Sequence, residues 1–205
     1  GLSYSELGPT HHSLEDMAVI RTIPNMNVLA PADKNELIIQ LREAIESPTP
    51  TYIRIGKKGE PDLGQFNTNY GIGKANILRC GKKYLLLGVG PILGEALKAA
   101  EMLEMEGVNL CVASMGGVSP LDEDFLSKMI SENFTNWITL EEHGIVGGLG
   151  TSIIEWLSDS NNSKIINLKR LGLPKQFINN LGNQEYTRNQ FGLDSIGIKK
   201  QILEL

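Results

Sequence analysis

Apolar and polar positions along the chain switch between a helical and a strand period, and the switches divide it into elements. Ser13 to Arg21 carries Met17, Ala18 and Ile20 after a Ser-x-x-Asp start, which predicts a short helix with Ser13 as N-cap and Asp16 at the third helical position. Pro24-Asn25 ends it, and Asn27 to Ala30 reads as a short apolar strand. Asp33 then caps a second predicted helix, whose Leu37, Ile38, Leu41, Ala44 and Ile45 form an apolar stripe of helical period. Pro48 and Pro50 stop it, and "TYIRIG" is rich in strand formers. Helix, strand, helix, strand is the order of a parallel α/β sheet.

From Lys57 to Tyr70 the composition turns to Lys, Gly, Pro, Asp, Gln and Asn, as in a linker. Beyond it "GKANILRC" and "KYLLLGVG" read as strands on either side of a Gly81-Lys82 turn. Ile92 to Glu106 is a long helix with Gly107 as its stop. "VNLCVASM" is a continuous apolar run of the kind buried on both faces of a sheet. A helix over Glu123 to Ser131 capped by Asp122, a strand over "NWITLEE", a helix over Gly148 to Leu157, a strand over "KIINLKRLG" and a last helix over Ser195 to Leu205 complete the order. The expected fold is therefore α/β: a first, incomplete unit over residues 1–60, a linker over 61–70, and a second unit with a mostly parallel sheet over 71–205.

Composition narrows the functional classes. With 41% hydrophobic and 21% charged residues the chain has a globular make-up, and a net charge of −5 argues against nucleic acid or an anionic membrane as partner. No apolar run approaches the roughly 20 residues of a membrane span, and no signal peptide opens the chain. Cys80 and Cys111 lie in apolar segments and give neither a metal-ligand spacing nor a disulfide framework, so a reducing, cytoplasmic compartment is expected. The chain opens at Gly1, without Met, in loop-like sequence, which fits a start inside a larger protein better than a natural start.

Two of the chain's three histidines, His11 and His12, adjoin the predicted helix start at Ser13. Unpaired N–H groups and a positive dipole end make such a start an anion site. Arg54 falls near the end of the "TYIRIG" strand, where open α/β sheets place ligands, and a guanidinium grips phosphate bidentately. Together they outline a polar pocket for a phosphorylated or hydroxylated small molecule. The plain alternative makes the histidines solvent-exposed turn residues and Arg54 a surface ion-pair partner.

The Gly-Pro-Thr-His core of "GLSYSELGPTHHSLEDMAVIRTIPNMNVLAPADKNE", its Ile23-Pro24-Asn25-Met26 turn, Pro31-Ala32-Asp33 and "PTYIRIGKKG" resemble the closing half of the transketolase pyrimidine-binding domain. "THHSLED" is most like the short, split-type members. "EALKAAEMLEMEGVNLCVASM", "SPLDE", "EEHGIVGGLGTSIIE" and "GNQEYTRNQFGLDSIGIKKQI" resemble the transketolase C-terminal domain. The resemblance implies transfer of a two-carbon ketol unit between sugar phosphates with thiamine diphosphate and Mg²⁺, in a dimeric enzyme of carbohydrate metabolism. It implies that His11 lines the substrate channel, that Arg54 binds the sugar phosphate, and that His12 stands at a polar position of weaker role. Leu7 replaces an acidic residue that reads substrate hydroxyls in the longer enzymes, so the sugar stays open. The family's proton-transfer glutamate would lie upstream of Gly1, and no Gly-Asp-Gly metal–diphosphate motif occurs. This chain is thus expected to hold neither cofactor nor metal tightly, to be inactive alone, and to need the missing N-terminal domains or a separate subunit. Rival readings are the beta subunit of a 2-oxo acid dehydrogenase decarboxylase component, whose pattern near here usually reads His-Ser-Gln, a deoxyxylulose-phosphate synthase, or a non-catalytic dimerisation module.

Further patterns carry less. Gly88-x-Gly90 has Leu93 where a dinucleotide loop needs its third glycine, and reads as a strand-to-helix turn with Pro91 near the helix start. Glu141, Glu142 and His143 cannot converge if the strand persists, because neighbours alternate faces. The glycines that follow, Gly147 to Gly150, allow close helix–sheet packing. Met102, Met105 and Met115 fill core, and Lys57-Lys58 is a solvated loop.

Overall fold

The computed structural model describes residues 1–57, 59–64, 70–160, 162 and 166–205. Lys58 and part of the expected linker, 65–69, lie outside them. After a 3₁₀ turn at Ser5–Leu7 come α1 (Pro9–His12), α2 (Asp16–Ile20), β1 (Asn27–Leu29), α3 (Lys34–Glu46) and β2 (Thr51–Ile53). Then follow β3 (Asn76–Arg79), β4 (Tyr84–Gly88), α4 (Leu93–Glu104), β5 (Leu110–Ser114), β6 (Gly117–Ser119) and α5 (Glu123–Ser131). β7 (Asn136–Gly144), α6 (Leu149–Asp159), β8 (Asn167–Leu173), α7 (Gln184–Gln190) and α8 (Ser195–Leu203) complete the chain. No helix among the described residues is long and apolar enough to cross a membrane.

The fold is mixed α/β with largely parallel sheets, as expected. A five-stranded sheet runs β3-β5-β4-β7-β8, parallel except for the antiparallel edge pair β3–β5. The Gly81-Lys82 turn separates β3 and β4 as predicted, yet β5 lies between them in the sheet. A three-stranded sheet runs β2-β1-β6, with β1 and β2 parallel and β6 antiparallel to β1. β6, which follows β5 in sequence, thereby joins the first unit's sheet.

Strand alternation sorts the core. Leu86, Leu110, Val112, Ile138 and Leu140 pack on the face covered by α4 and α8, with Ala96, Leu103 and Ile198. Leu85, Leu87, Ala113 and Trp137 pack on the other, with Leu126, Met129 and Ile153 of α5 and α6 and with Met17 and Val28 of the first unit. Local caps act where expected: Asp122 accepts from Phe125 N, and Asp33 from Asn35 N and Glu36 N.

α3 departs from expectation in its buried face. Its periodicity predicts the helix, but Ile38, Leu41 and Ile45 are 46%, 45% and 76% exposed, while Glu36 and Gln40 are fully buried. Gln40 Nε2 donates to Gly116 O at 2.8 Å, and Glu36 accepts from Ser114 Oγ at 2.7 Å and from Ala32 N. The polar face is the one turned inward because the ends of β5 and β6 offer it hydrogen-bond partners there.

Burial pushes the Glu36 carboxyl up from 4.5 to about 8. The folded state thus keeps a proton that the unfolded chain releases above pH 4.5. That contribution to stability is full below pH 4.5 and is lost as pH rises to about 8. Glu36→Gln, which has no proton to lose, should gain stability relative to the parent between pH 5 and 8, and the difference should level off above. Urea unfolding at a series of pH values measures it; a difference that stays constant would show that Glu36 is ionised throughout.

Candidate functional site at the strand ends

The first 16 residues lie over the carboxyl ends of β2 and β7. Pro9 occupies the first position of α1, where its fixed φ suits a helix, and the turn closes at Ser13 with a left-handed φ of 45°. Ser13 is therefore the C-cap of α1, not the N-cap of the next helix, and α2 begins after Glu15 without a side-chain cap. The reason is the use of its carbonyl, which accepts from Arg54 Nη2 at 2.6 Å and from the Gly1 amine at 2.9 Å. Turns of four and five residues at this place do not build the anion site expected from a longer helix start.

His11 is exposed, its Nδ1 3.0 Å from Thr10 Oγ1. His12 is buried, and its Nε2 donates to Ser5 O at 2.8 Å. The Ser5 hydroxyl in turn meets Thr187 Oγ1 on α7, so His12 ties the N-terminal turn to the far end of the chain.

Arg54 leaves β2 with its side chain 14% exposed. Nε lies 3.1 Å from Asp16 Oδ2, Nη1 donates to Glu142 O at 2.9 Å and Nη2 to Ser13 O. Asp16 also accepts from Tyr52 OH at 2.8 Å. A guanidinium has five N–H donors; Nη1 and Nη2 each spend one on a carbonyl, which leaves one on each terminal nitrogen, while Nε pairs with Asp16 by charge and makes no hydrogen bond. A cavity of about 30 Å³ opens beside them, lined by Arg54, Ser3, Gly56, Gly90, Pro91 and Glu142 among others. Neither His11 nor His12 lines it. Sequence reasoning singles out Arg54 but misses the groups that orient it, which come from positions up to 88 residues away.

The Glu141-Glu142-His143 run lies on a strand that persists to Gly144, and the side chains alternate as predicted. Glu142 accepts from Arg188 Nε and, at 3.0 Å, from Gln184 Nε2 on α7. On the opposite face Glu141 accepts from Leu149 N at 2.8 Å and Gly150 N at 2.9 Å, capping α6. Burial raises its carboxyl to about 7 against the pull of those amides. His143 Nε2 accepts from Ala18 N at 3.3 Å, so the proton sits on Nδ1, which donates to Gly144 O at 2.6 Å. Burial, with Arg54 nearby, lowers its pKa to about 4 and keeps it neutral. The trio fastens α2, α6 and α7 to β7.

The two α/β units meet at the carboxyl ends of parallel strands, where the Arg54–Asp16 pair lies. Residues 1–60 match the family model for the transketolase pyrimidine-binding domain and residues 73–198 the one for the transketolase C-terminal domain, so the chain belongs to the transketolase family. It is 33% identical over 205 residues to one of the subunits of the apulose-4-phosphate transketolase of Phocaeicola vulgatus, covering 100% of this chain and 64% of that protein. It is 39% identical over 199 residues to 1-deoxy-D-xylulose-5-phosphate synthase 1 of Geobacter metallireducens, covering 95% of this chain and 31% of that protein. A split-gene transketolase solved as an inactive β4 tetramer superposes with a TM-score of 0.81 at 28% identity, over 96% of this chain and 62% of that one. The chain thus spans less than two thirds of the length of each.

A Cβ at Gly148 would collide with Glu141 Oε2 and lie 2.7 Å from His143 Nδ1. Gly148→Ala should therefore cost about 2–4 kcal/mol, because the buried carboxylate cannot keep both α6 amides. Gly107→Ala, in open space with φ at +79°, should cost only about 1–2 kcal/mol from backbone strain. Chemical denaturation of the two variants checks the order.

Proposed function

We propose that this chain forms the substrate-facing and C-terminal portion of a thiamine-diphosphate-dependent transketolase, which moves a two-carbon ketol unit between sugar phosphates. The observation that carries the reading is similarity, along the whole of this chain, to a subunit of a sugar-phosphate transketolase, combined with a guanidinium held at the strand ends with donors to spare. Arg54 presents two free N–H groups in a geometry fixed by Asp16, Ser13 and Glu142, and takes the phosphate of the sugar. His11, exposed beside the same turn, lines the channel, and His12 supports it. Domains 1–60 and 71–205 then correspond to the pyrimidine-binding half and the C-terminal domain, joined over 61–70.

The cofactor supplies a carbon nucleophile when bound, and a divalent metal such as Mg²⁺ anchors its diphosphate. The residues here do not fit that anchor. The sequence contains no Gly-Asp-Gly, and among the described residues no group of three His, Cys, Asp or Glu side chains is placed to hold a metal ion. The chain alone is inactive, and a further subunit or N-terminal region completes the site. The working enzyme is a cytoplasmic homodimer of such pairs, in which the exposed Ile38, Leu41 and Ile45 on α3 become covered.

A deoxyxylulose-phosphate synthase is the second reading, favoured by the 39% identity to one such enzyme. Assay of this chain, alone and with its cognate cofactor-binding partner, separates them. Apulose 4-phosphate consumed by the pair and not by the chain alone supports ketol transfer, whereas formation of 1-deoxy-D-xylulose 5-phosphate supports the synthase. In the active pair, Arg54→Ala should raise KM for a phosphorylated sugar by roughly 30-fold, a charge-assisted contact of about 2 kcal/mol. It should leave the unphosphorylated donor hydroxypyruvate nearly unchanged. An equal loss on both substrates would make Arg54 a support of the fold only.

A further inference from the structure

The chain's two cysteines are 31 positions apart in sequence and both are free thiols. Cys80 follows β3, the antiparallel edge of the five-stranded sheet, and Cys111 lies in β5 beside it. Arg79 stands opposite Val112, and Lys82 N donates to Asn109 O at 2.9 Å. Both belong to one register, which, extended one residue past the last ladder pair at Arg79, sets Cys80 opposite Cys111. Directly opposed residues of an antiparallel pair share a face, with Cα atoms about 4.5–5.5 Å apart. A disulfide needs about 4.4–6.8 Å. The two stretches stay in contact one residue further on, where a Cβ at Gly81 would run into Cys111 N.

The two thiols differ in access. Cys80 is exposed at the sheet edge, whereas Cys111 is 2% exposed. Burial raises the Cys111 thiol to about 11, and the proximity of Cys80 adds to the rise. The first thiol to react is thus the exposed one, and the buried one resolves the product.

We propose that Cys80 and Cys111 are a redox-modification site, closed by a low-molecular-weight disulfide of the glutathione class into an intrachain bond across β3 and β5. The Cys80 thiolate attacks one sulfur of the small disulfide, forming a mixed disulfide and releasing one small thiolate. Cys111 gives its proton to solvent and attacks the Cys80 sulfur, and the second small thiolate leaves. Two protein thiols and one small disulfide become one protein disulfide and two small thiols. The new bond closes a loop that holds β4 and α4, and it ties the sheet's exposed edge to its interior.

The test treats the whole chain with oxidised glutathione and then with dithiothreitol. The expected product is a monomer-mass species lighter by about 2 Da, with no titratable thiol after denaturation and a Cys80–Cys111 peptide on non-reducing digestion. Its thermal midpoint should rise by about 5 °C and return on reduction. Cys80→Ser should leave Cys111 reduced under the same treatment. A stable glutathione adduct on Cys80, a Cys80–Cys80 linked dimer, or no reaction overturns the proposal. So does a Cys80–Cys111 bond that fails to raise the midpoint, because the sulfurs would then meet only in the unfolded chain.

Discussion

Arg54 bridges three separate stretches of the chain through one planar group: the carbonyl that ends α1, the carboxylate that begins α2, and the backbone of β7. The N-terminal turn, the small sheet and the large sheet are thereby joined at a single point. A guanidinium can do this because its donors are fixed in a plane and it stays charged when mostly enclosed. Removing one partner from such a nearly buried pair strands the other charge, which costs more than the pair itself contributes. The geometry of the whole strand-end region, including whatever ligand it receives, depends on the Asp16–Arg54 pair keeping its place.

How much of this can be read from the sequence depends on the range of the interactions. Asp33 and Asp122 cap helices two or three residues away, so their roles are legible. Ser13 is not, although its motif is local, because its carbonyl is claimed by Arg54, 41 residues on, and that draws the residue into a left-handed turn. The α3 stripe reveals a helix but not its orientation, since periodicity cannot tell a face buried in the same chain from one left open. β6 is three residues long, and α7, "QEYTRNQ", has no apolar period, so neither leaves a signal. Arg54 is singled out by residue type and position. Asp16, Glu142 and Arg188 stand in plain sight as charges whose partners only the fold reveals.

The alternation argument for Glu141, Glu142 and His143 is sound for a physical reason: β7 persists through all three, so the first and third face α6 and the second faces α7. Two carboxylates and a histidine in a row resemble acid–base machinery. Here the histidine accepts from one backbone amide and donates to one carbonyl, and Glu141 holds two amides, so both groups are already matched by backbone partners. Gly148 and Gly150 complete the motif by leaving room for Glu141, Thr139 and Arg170 where a side chain would collide.

The charges are accordingly sorted by place. Glu36, Glu141 and His143, sealed inside, are pushed toward their neutral forms, the acids upward and the histidine downward. Their linkages to pH oppose each other. The acids' share of stability is lost as pH rises from 4.5 toward about 7 and 8, whereas the histidine's is lost as pH falls from 6.5 toward about 4. The ion pairs Arg54–Asp16 and Arg188–Glu142 lie at the strand ends instead, each guanidinium in contact with a carboxyl group. The phosphate contact proposed at Arg54 would therefore not have to order a loose surface cation. Arg54 is already oriented and largely desolvated by its partners, so the cost of ordering that group falls on folding.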